Sequence, residues 1–123
     1  MKQNNVVQQK SYLFALRIIK LYKDLVKQNE YVLSRQILKS GTSIGANIEE
    51  AIGGQSPKDF FAKLSISYKE ARETHYWIRL LRDSDYVEVK LANSFLKDCE
   101  ELLRIIGAIQ VSMKKKINRS YFG

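Results

Sequence analysis

Hydrophobic residues recur along this chain at spacings of three and four, the period of amphipathic helices, in four stretches joined by short polar links. In the first, from Lys10 to about Lys27, Leu13, Leu16, Ile19 and Val26 mark one row, and Phe14, Ile18, Leu21 and Leu25 mark a second beside it. Two adjacent rows predict contact with more than one neighbour. Gln28 to Leu33 reads as a connection. Ser34 is the expected N-cap of a second helix that runs to about Ile52, with Ile37, Ile44, Ile48 and Ile52 on its apolar side. Gly53-Gly54 offers the positive φ that ends a helix cheaply. Ser56-Pro57-Lys58-Asp59 is the sharpest local signal: a capping serine, proline at the first helical position and an acid in the first turn. The third helix continues to about Arg82 with Phe61, Leu64, Tyr68, Ala71, His75 and Ile78 as its stripe, and Asp83-Ser84-Asp85 turns the chain. From about Glu88 into a basic tail, Ala92, Phe95, Cys99, Leu102, Ile106, Ile109 and Met113 form an unbroken seam, widened by Leu96 and Leu103.

Short links between long amphipathic helices predict an all-α fold: a single up-down-up-down antiparallel four-helix bundle. Residues 1–123 then form one domain, with 1–9 and 117–123 as fraying tails. Ser40 to Ala51 stands out within it, because two glycines, two serines and a threonine weaken a helix taken alone. Packing must favour small side chains there. Reflecting the second helix onto the third brings Gly41 near Tyr68 and Gly45 near Leu64. It also pairs Arg35 with Glu73 and Lys63 with Glu49. The next reflection brings Tyr68 near Leu102 and Leu64 near Ile106. Gly107 weakens the last helix with no reason visible unless another backbone approaches it.

Charge adds a functional direction. The 123 residues carry a formal net charge of +8 and a pI near 9.6, which suits an anionic partner such as nucleic acid, or simply helices coated in lysine. Lys114, Lys115, Lys116 and Arg119 end the last helix with Tyr121 and Phe122 behind them, and Arg17, Lys20, Lys23 and Lys27 lie along the first. Cations at a helix C-terminus offset its dipole by about 0.3–1 kcal/mol each. Four within six residues exceed that need, so both groups are candidate nucleic-acid contacts through phosphate. Trp77 and Tyr76 lie beside the core stripe, with Ile66 and Leu80 on the same row as Trp77. A subunit interface is favoured over base stacking for them. Glu50 and Asn47, at the far end of the small-residue stretch, are expected to tie helix ends or subunits together.

Catalytic and metal chemistry find little support. His75 is the only histidine, and the residue three before it is Arg72, so the Glu-x-x-His pairs of a di-iron bundle are missing. Cys99 sits in the seam without a second cysteine, which also excludes an intramolecular disulfide. Ser43 lies within a helix instead of on a nucleophile elbow, and no lysine follows Gly41 and Gly45 as in a phosphate loop. Glu49, Glu50, Glu70 and Glu73 read as salt-bridge partners. The expectation is a non-enzymatic protein with no cofactor, no metal and no small-molecule substrate. No apolar run nears the roughly 20 residues of a membrane span, and no apolar h-region follows the start. A cytoplasmic, bacterial-type protein without a membrane partner is expected.

Three segments carry a resemblance. Ser43-Ile44-Gly45-Ala46-Asn47-Ile48-Glu49-Glu50-Ala51, then Asp59-Phe60-Phe61-Ala62-Lys63-Leu64-Ser65-Ile66, then Lys69-Glu70-Ala71-Arg72-Glu73-Thr74-His75-Tyr76-Trp77 resemble the bacterial four-helix-bundle family of 23S rRNA intervening-sequence proteins, also called S23 ribosomal proteins. That family is similar to the accessory protein of diversity-generating retroelements, a basic bundle that forms a ring-like homopentamer and works with a reverse transcriptase and its RNA. The resemblance implies a homo-oligomer, a pentamer by that likeness, and offers no catalytic residues to carry over. The functional expectation is a homo-oligomeric module that binds RNA or another nucleic acid electrostatically, as a scaffold or accessory factor. The alternative is a protein–protein interaction module with no nucleic-acid role.

Overall fold

A computed structural model describes the backbone of residues 2–122 and the side chains of residues 4–119. It contains four helices: α1 (Lys2–Lys27), α2 (Leu33–Ile52), α3 (Pro57–Asp83) and α4 (Val89–Phe122). Consecutive helices pack antiparallel as a four-helix bundle; α2 lies closely against both α1 and α3, α3 against α4, and α4 only loosely against α1.

The hydrophobic pattern places the core well, with instructive exceptions. All seven seam residues of α4 are buried. On α1 only the second row is buried; Leu13 and Leu16 of the first remain half exposed, at 52% and 49%. α1 also begins at Lys2, eight residues before the expected start at Lys10. Val7 and Ser11 extend the buried row of Phe14, Ile18, Leu21 and Leu25 at alternating steps of four and three, and Ser11 satisfies its hydroxyl on the Gln8 carbonyl. On α3 the buried line is Leu64, Ser67, Ala71, Thr74, Ile78 and Leu81, whereas Phe61, Tyr68 and His75 are only partly covered.

Two helix ends depart from expectation. Ser34 is not the cap of α2. The Glu30 carboxylate, itself buried, accepts from the Ser34 amide at 2.6 Å and the Val32 amide at 3.3 Å, while the Ser34 hydroxyl donates back to the Glu30 carbonyl. A carboxylate there also opposes the positive end of the helix dipole. At the other end Gly53 has φ −81°, and no described glycine has positive φ. Glycine matters at position 54 for space, since a Cβ there would lie 3.0 Å from the Ala51 carbonyl oxygen. Left-handed backbone falls instead on Asn29 (φ 64°) and Asp85 (φ 67°). Both close Schellman-type ends: Glu30 N–H donates to Leu25 O after α1, and Tyr86 N–H to Leu81 O after α3. Ser56 caps α3 as expected, accepting from the Asp59 amide with Pro57 following it.

The small-residue stretch faces α1 with its glycines and α3 with its serine and main chain. A Cβ on Gly41 would lie 2.7 and 2.8 Å from Ile18 Cγ1 and Cγ2, and one on Gly45 would lie 3.3 Å from Ser11 Oγ. Tyr68 and Leu64 are therefore not the partners of Gly41 and Gly45. Toward α3, Ser67 Oγ donates to the Ile44 carbonyl at 2.8 Å and Thr74 Oγ1 hydrogen-bonds Ser40 Oγ at 2.9 Å, all in the buried interior. These contacts shift the α2–α3 register by about one helical turn from a simple reflection about Gly54. Lys63 accordingly meets Glu50 and not Glu49, which is held by Gln8. The α3–α4 reflection succeeds in one row, where Cys99 donates to the Ala71 carbonyl. In the outer row it slips by about a turn, with Tyr68 against Gly107 and His75 paired to Glu100.

The glycines make the argument testable. Gly41→Ala forces Ile18 to move within a filled core and should cost about 1–3 kcal/mol. Gly107→Ala meets only a Tyr68 ring atom at 3.7 Å, so it should add about 0.5–1 kcal/mol by removing glycine's entropic cost in a helix. Urea denaturation of the two variants beside the parent checks both signs; equal midpoints for all three would refute the packing role of Gly41.

Candidate functional site

α1 and α4 run antiparallel, with Lys10 paired to Glu101 and Arg17 to Asp98. The two cationic groups singled out in the sequence therefore lie at opposite ends of the bundle. Lys20, Lys23 and Lys27 are exposed at the end of α1, beside the start of α4. Lys114, Lys115, Lys116 and Arg119 are exposed at the far end of α4, where Met113 shares a cleft with Asn4 and Pro57. Each helical step turns about 100°, so Lys114 to Lys116 form a collar around α4 more than a stripe. Tyr121 and Phe122 have side chains outside the described residues.

Arg17 is committed to the fold. Its guanidinium bonds Asp98 and the Ser94 hydroxyl, and its Cζ lies 4.1 Å above the centre of the Phe95 ring. This ties α4 to α1 where the two helices are otherwise loosely packed, and leaves Lys20, Lys23 and Lys27 as the solvent-facing part of that strip.

The proposed interface residues also separate. Glu50 forms an ion pair with Lys63 at 2.9 Å, and the Asn47 amide donates to the Ser43 carbonyl one turn back, so both serve helices of their own chain. Tyr76 is 47% exposed and meets Trp77 edge-on, ring centres 5.3 Å apart; Trp77 is partly buried against the core. Ile66 and Leu80 extend this outward row of α3. On α1, Val6, Tyr12, Leu13 and Leu16 form a second exposed apolar surface. α1 and α3 stand on the diagonal of the bundle without close backbone approach, so the two surfaces are separate.

A third surface lies between α3 and α4. His75 Nε2 is 2.9 Å from Glu100 Oε2, which bridges the two helices across their outer edge. Arg72 and Arg79 flank His75 at three and four residues, and Lys97 and Arg104 flank Glu100 likewise; all four are exposed. A cleft of about 690 Å³ opens here, lined by Arg72, His75, Tyr76, Arg79 and Glu100 among others. Arg79 reaches over the Tyr76 ring at 5.6 Å. The sequence holds a signal for this cluster, two pairs of cations seven residues apart on consecutive helices, which net charge and terminal runs of lysine do not reveal.

Glu49, Glu50, Glu70 and Glu73 do not converge, and among the described residues no three His, Cys, Asp or Glu side chains are grouped to hold a metal ion. Burial, then the neighbouring Glu73 charge, holds the Glu70 carboxyl above its ordinary range, against Lys39 and Lys69. Burial likewise pushes the Cys99 thiol up to about 12, with Glu100 adding to it. The thiol stays protonated across the physiological range and donates to the Ala71 carbonyl at 3.1 Å. A thiol-specific reagent at pH 8 should leave Cys99 unmodified in the native protein and react fully after denaturation. Rapid native labelling would show the thiol to be accessible as thiolate. Because the unfolded thiol ionises near 9 and the folded one near 12, this group's contribution to stability should fall as pH rises between those values.

The model of the family described as 23S rRNA-intervening sequence protein matches residues 3–108. The chain is also similar to a crystal structure of a protein of unknown function from the S23 ribosomal protein family of Bacteroides thetaiotaomicron VPI-5482. The two are 49% identical over 88% of this chain and 97% of that one, with a TM-score of 0.86. A search of the curated proteins finds no match.

Proposed function

The chain belongs to the 23S rRNA-intervening sequence protein family, and from that premise we propose that it is a non-enzymatic, homo-oligomeric accessory module that binds RNA electrostatically. The observation that carries the reading is the separation of its charges. Among the described residues, ion pairs engage Lys10, Arg17, Lys63 and Arg82, whereas Lys20, Lys23, Lys27, Lys114, Lys115 and Arg119 stand exposed in a chain of net charge +8. Exposed lysine and arginine bind polyanions by displacing condensed counterions and need no reading of sequence. Among the described residues no helix is long and apolar enough to cross a membrane.

Self-assembly is supported by the apolar surfaces on α1 and α3. They differ in composition and lie on different helices, so a contact between them is heterologous. Such contacts generate closed rings when the rotation closes, in keeping with the pentamer that the resemblance implies. In that reading Trp77 and Tyr76 belong to the subunit contact, while Glu50 and Asn47 hold the helix ends from which it is built.

Two measurements test the two halves. RNA binding should weaken steeply with salt, and Lys114→Gln/Lys115→Gln/Lys116→Gln should lower the slope of log K against log salt by about 2–3; an absence of binding at low salt would defeat this half. Light scattering should give a multiple of the 14.3 kDa chain, five-fold for a pentamer, and Leu13→Glu/Leu16→Glu should return it to a monomer with helicity intact. A monomeric parent protein would defeat the other half. Capture of a partner protein that survives nuclease, without any RNA affinity, would support an interaction module instead.

A further inference from the structure

We propose that the outer face of α3 and α4 is the docking surface for double-helical RNA, gripped through its phosphates by Arg72, Arg79, Lys97 and Arg104. This deepens the nucleic-acid reading above and rests on it.

The geometry is a rectangle of cations. Arg72 and Arg79 are seven residues apart, about 10.5 Å along α3, and Lys97 and Arg104 are spaced equally on α4. Packed helices lie about 8–10 Å apart. The helices are antiparallel and joined across this edge by His75–Glu100. Arg72 therefore sits toward the Arg104 end and Arg79 toward the Lys97 end. All four are exposed, and none is engaged in an ion pair among the described residues.

The arrangement favours a two-stranded ligand. Its charges are spread in two dimensions over two helices at the rim of the cleft, whereas a single strand is tracked along one line of backbone contacts beside stacking rings. The rings here, Tyr76 and Trp77, are already used: Arg79 lies over Tyr76, Trp77 meets its edge, and both belong to the subunit contact proposed above. Base stacking is thus poorly served and backbone contact well served. Two acids, Glu73 and Glu100, line the cleft between the cations. Glu100 is engaged by His75 at 2.9 Å. Both would repel a phosphate entering the cleft, which directs contact to the cations at its rim. An acidic peptide presents its charges along one line and matches the rectangle less well.

The experiment measures binding of the full chain to an RNA duplex of arbitrary sequence by fluorescence anisotropy at several KCl concentrations. The variants are Arg72→Gln/Arg79→Gln/Lys97→Gln/Arg104→Gln and, for comparison, Lys114→Gln/Lys115→Gln/Lys116→Gln, with circular dichroism confirming unchanged helicity. The expected result is at least a tenfold loss for the first variant near 0.1 M salt and a slope reduced by about 3, with a smaller loss for the second. A single strand of equal length, or polyglutamate of equal charge, should compete much less well than duplex. If the parent protein binds no RNA, the nucleic-acid reading itself fails. If the parent binds and the face variant binds equally well, this docking surface is wrong while the broader reading stands. Equal competition by single strand or polyglutamate overturns the choice of duplex RNA.

Discussion

The bundle depends on how closely α1 and α3 approach the backbone of α2. Gly41 has no side chain because Ile18 occupies the space one would need. On the opposite flank Ser67 reaches the Ile44 main-chain carbonyl directly, and Thr74 reaches Ser40. These small and polar residues are poor helix formers in isolation. Their helix is held by burial of Ile37, Ile44 and Ile48, each contributing about 1.5–3 kcal/mol, and by the Glu30 carboxylate at its start. Close packing thus overrides local preference, and the hydroxyl bonds fix the register that the apolar contacts alone would leave free to slide.

Gathering α1 and α3 onto α2 leaves α4 to close the bundle. It does so well against α3 and loosely against α1. Polar ties take over at the loose seam: Lys10–Glu101, and Arg17 shared among Asp98, Ser94 and the Phe95 ring. Half-exposed ion pairs of this kind contribute about 0–1 kcal/mol each, so they orient α4 more than they stabilise it. The same looseness explains why Leu13 and Leu16 lie outside the core although they continue a helical row.

Periodicity in the sequence was enough to locate the four helices, the α4 seam and the Ser56-Pro57 start of α3, because each rests on local chemistry. Errors arose wherever a tertiary contact decides. Gly41 reads equally well as facing α1 or α3 until the turn geometry is known, and reflection about a loop assumes a symmetric turn. The chain instead leaves α1 and α3 through left-handed Asn29 and Asp85, residues less expected there than glycine. Ser34 resembled a cap, but a glutamate four residues earlier does that work through a bond no propensity rule anticipates. The surface was less legible still. Arg17 and Lys20 look alike in a list of cations, yet one braces α4 and the other faces solvent.

That contrast bears on function. Where α1 meets α4, opposite charges are matched residue by residue, as expected of a seam that only has to stay closed. At the outer edge of α3 and α4 the cross-helix ion pair His75–Glu100 is surrounded by Arg72, Arg79, Lys97 and Arg104, none of which is in an ion pair among the described residues although Glu73 lies in the same cleft. Like charges about 10 Å apart are close to the screening length of physiological salt, so they repel weakly and add nothing to folding. Glu73 and Glu100 offset only part of that repulsion, since neither is in an ion pair with any of the four cations. The excess of positive charge left on this face is complementary to charge supplied by a partner.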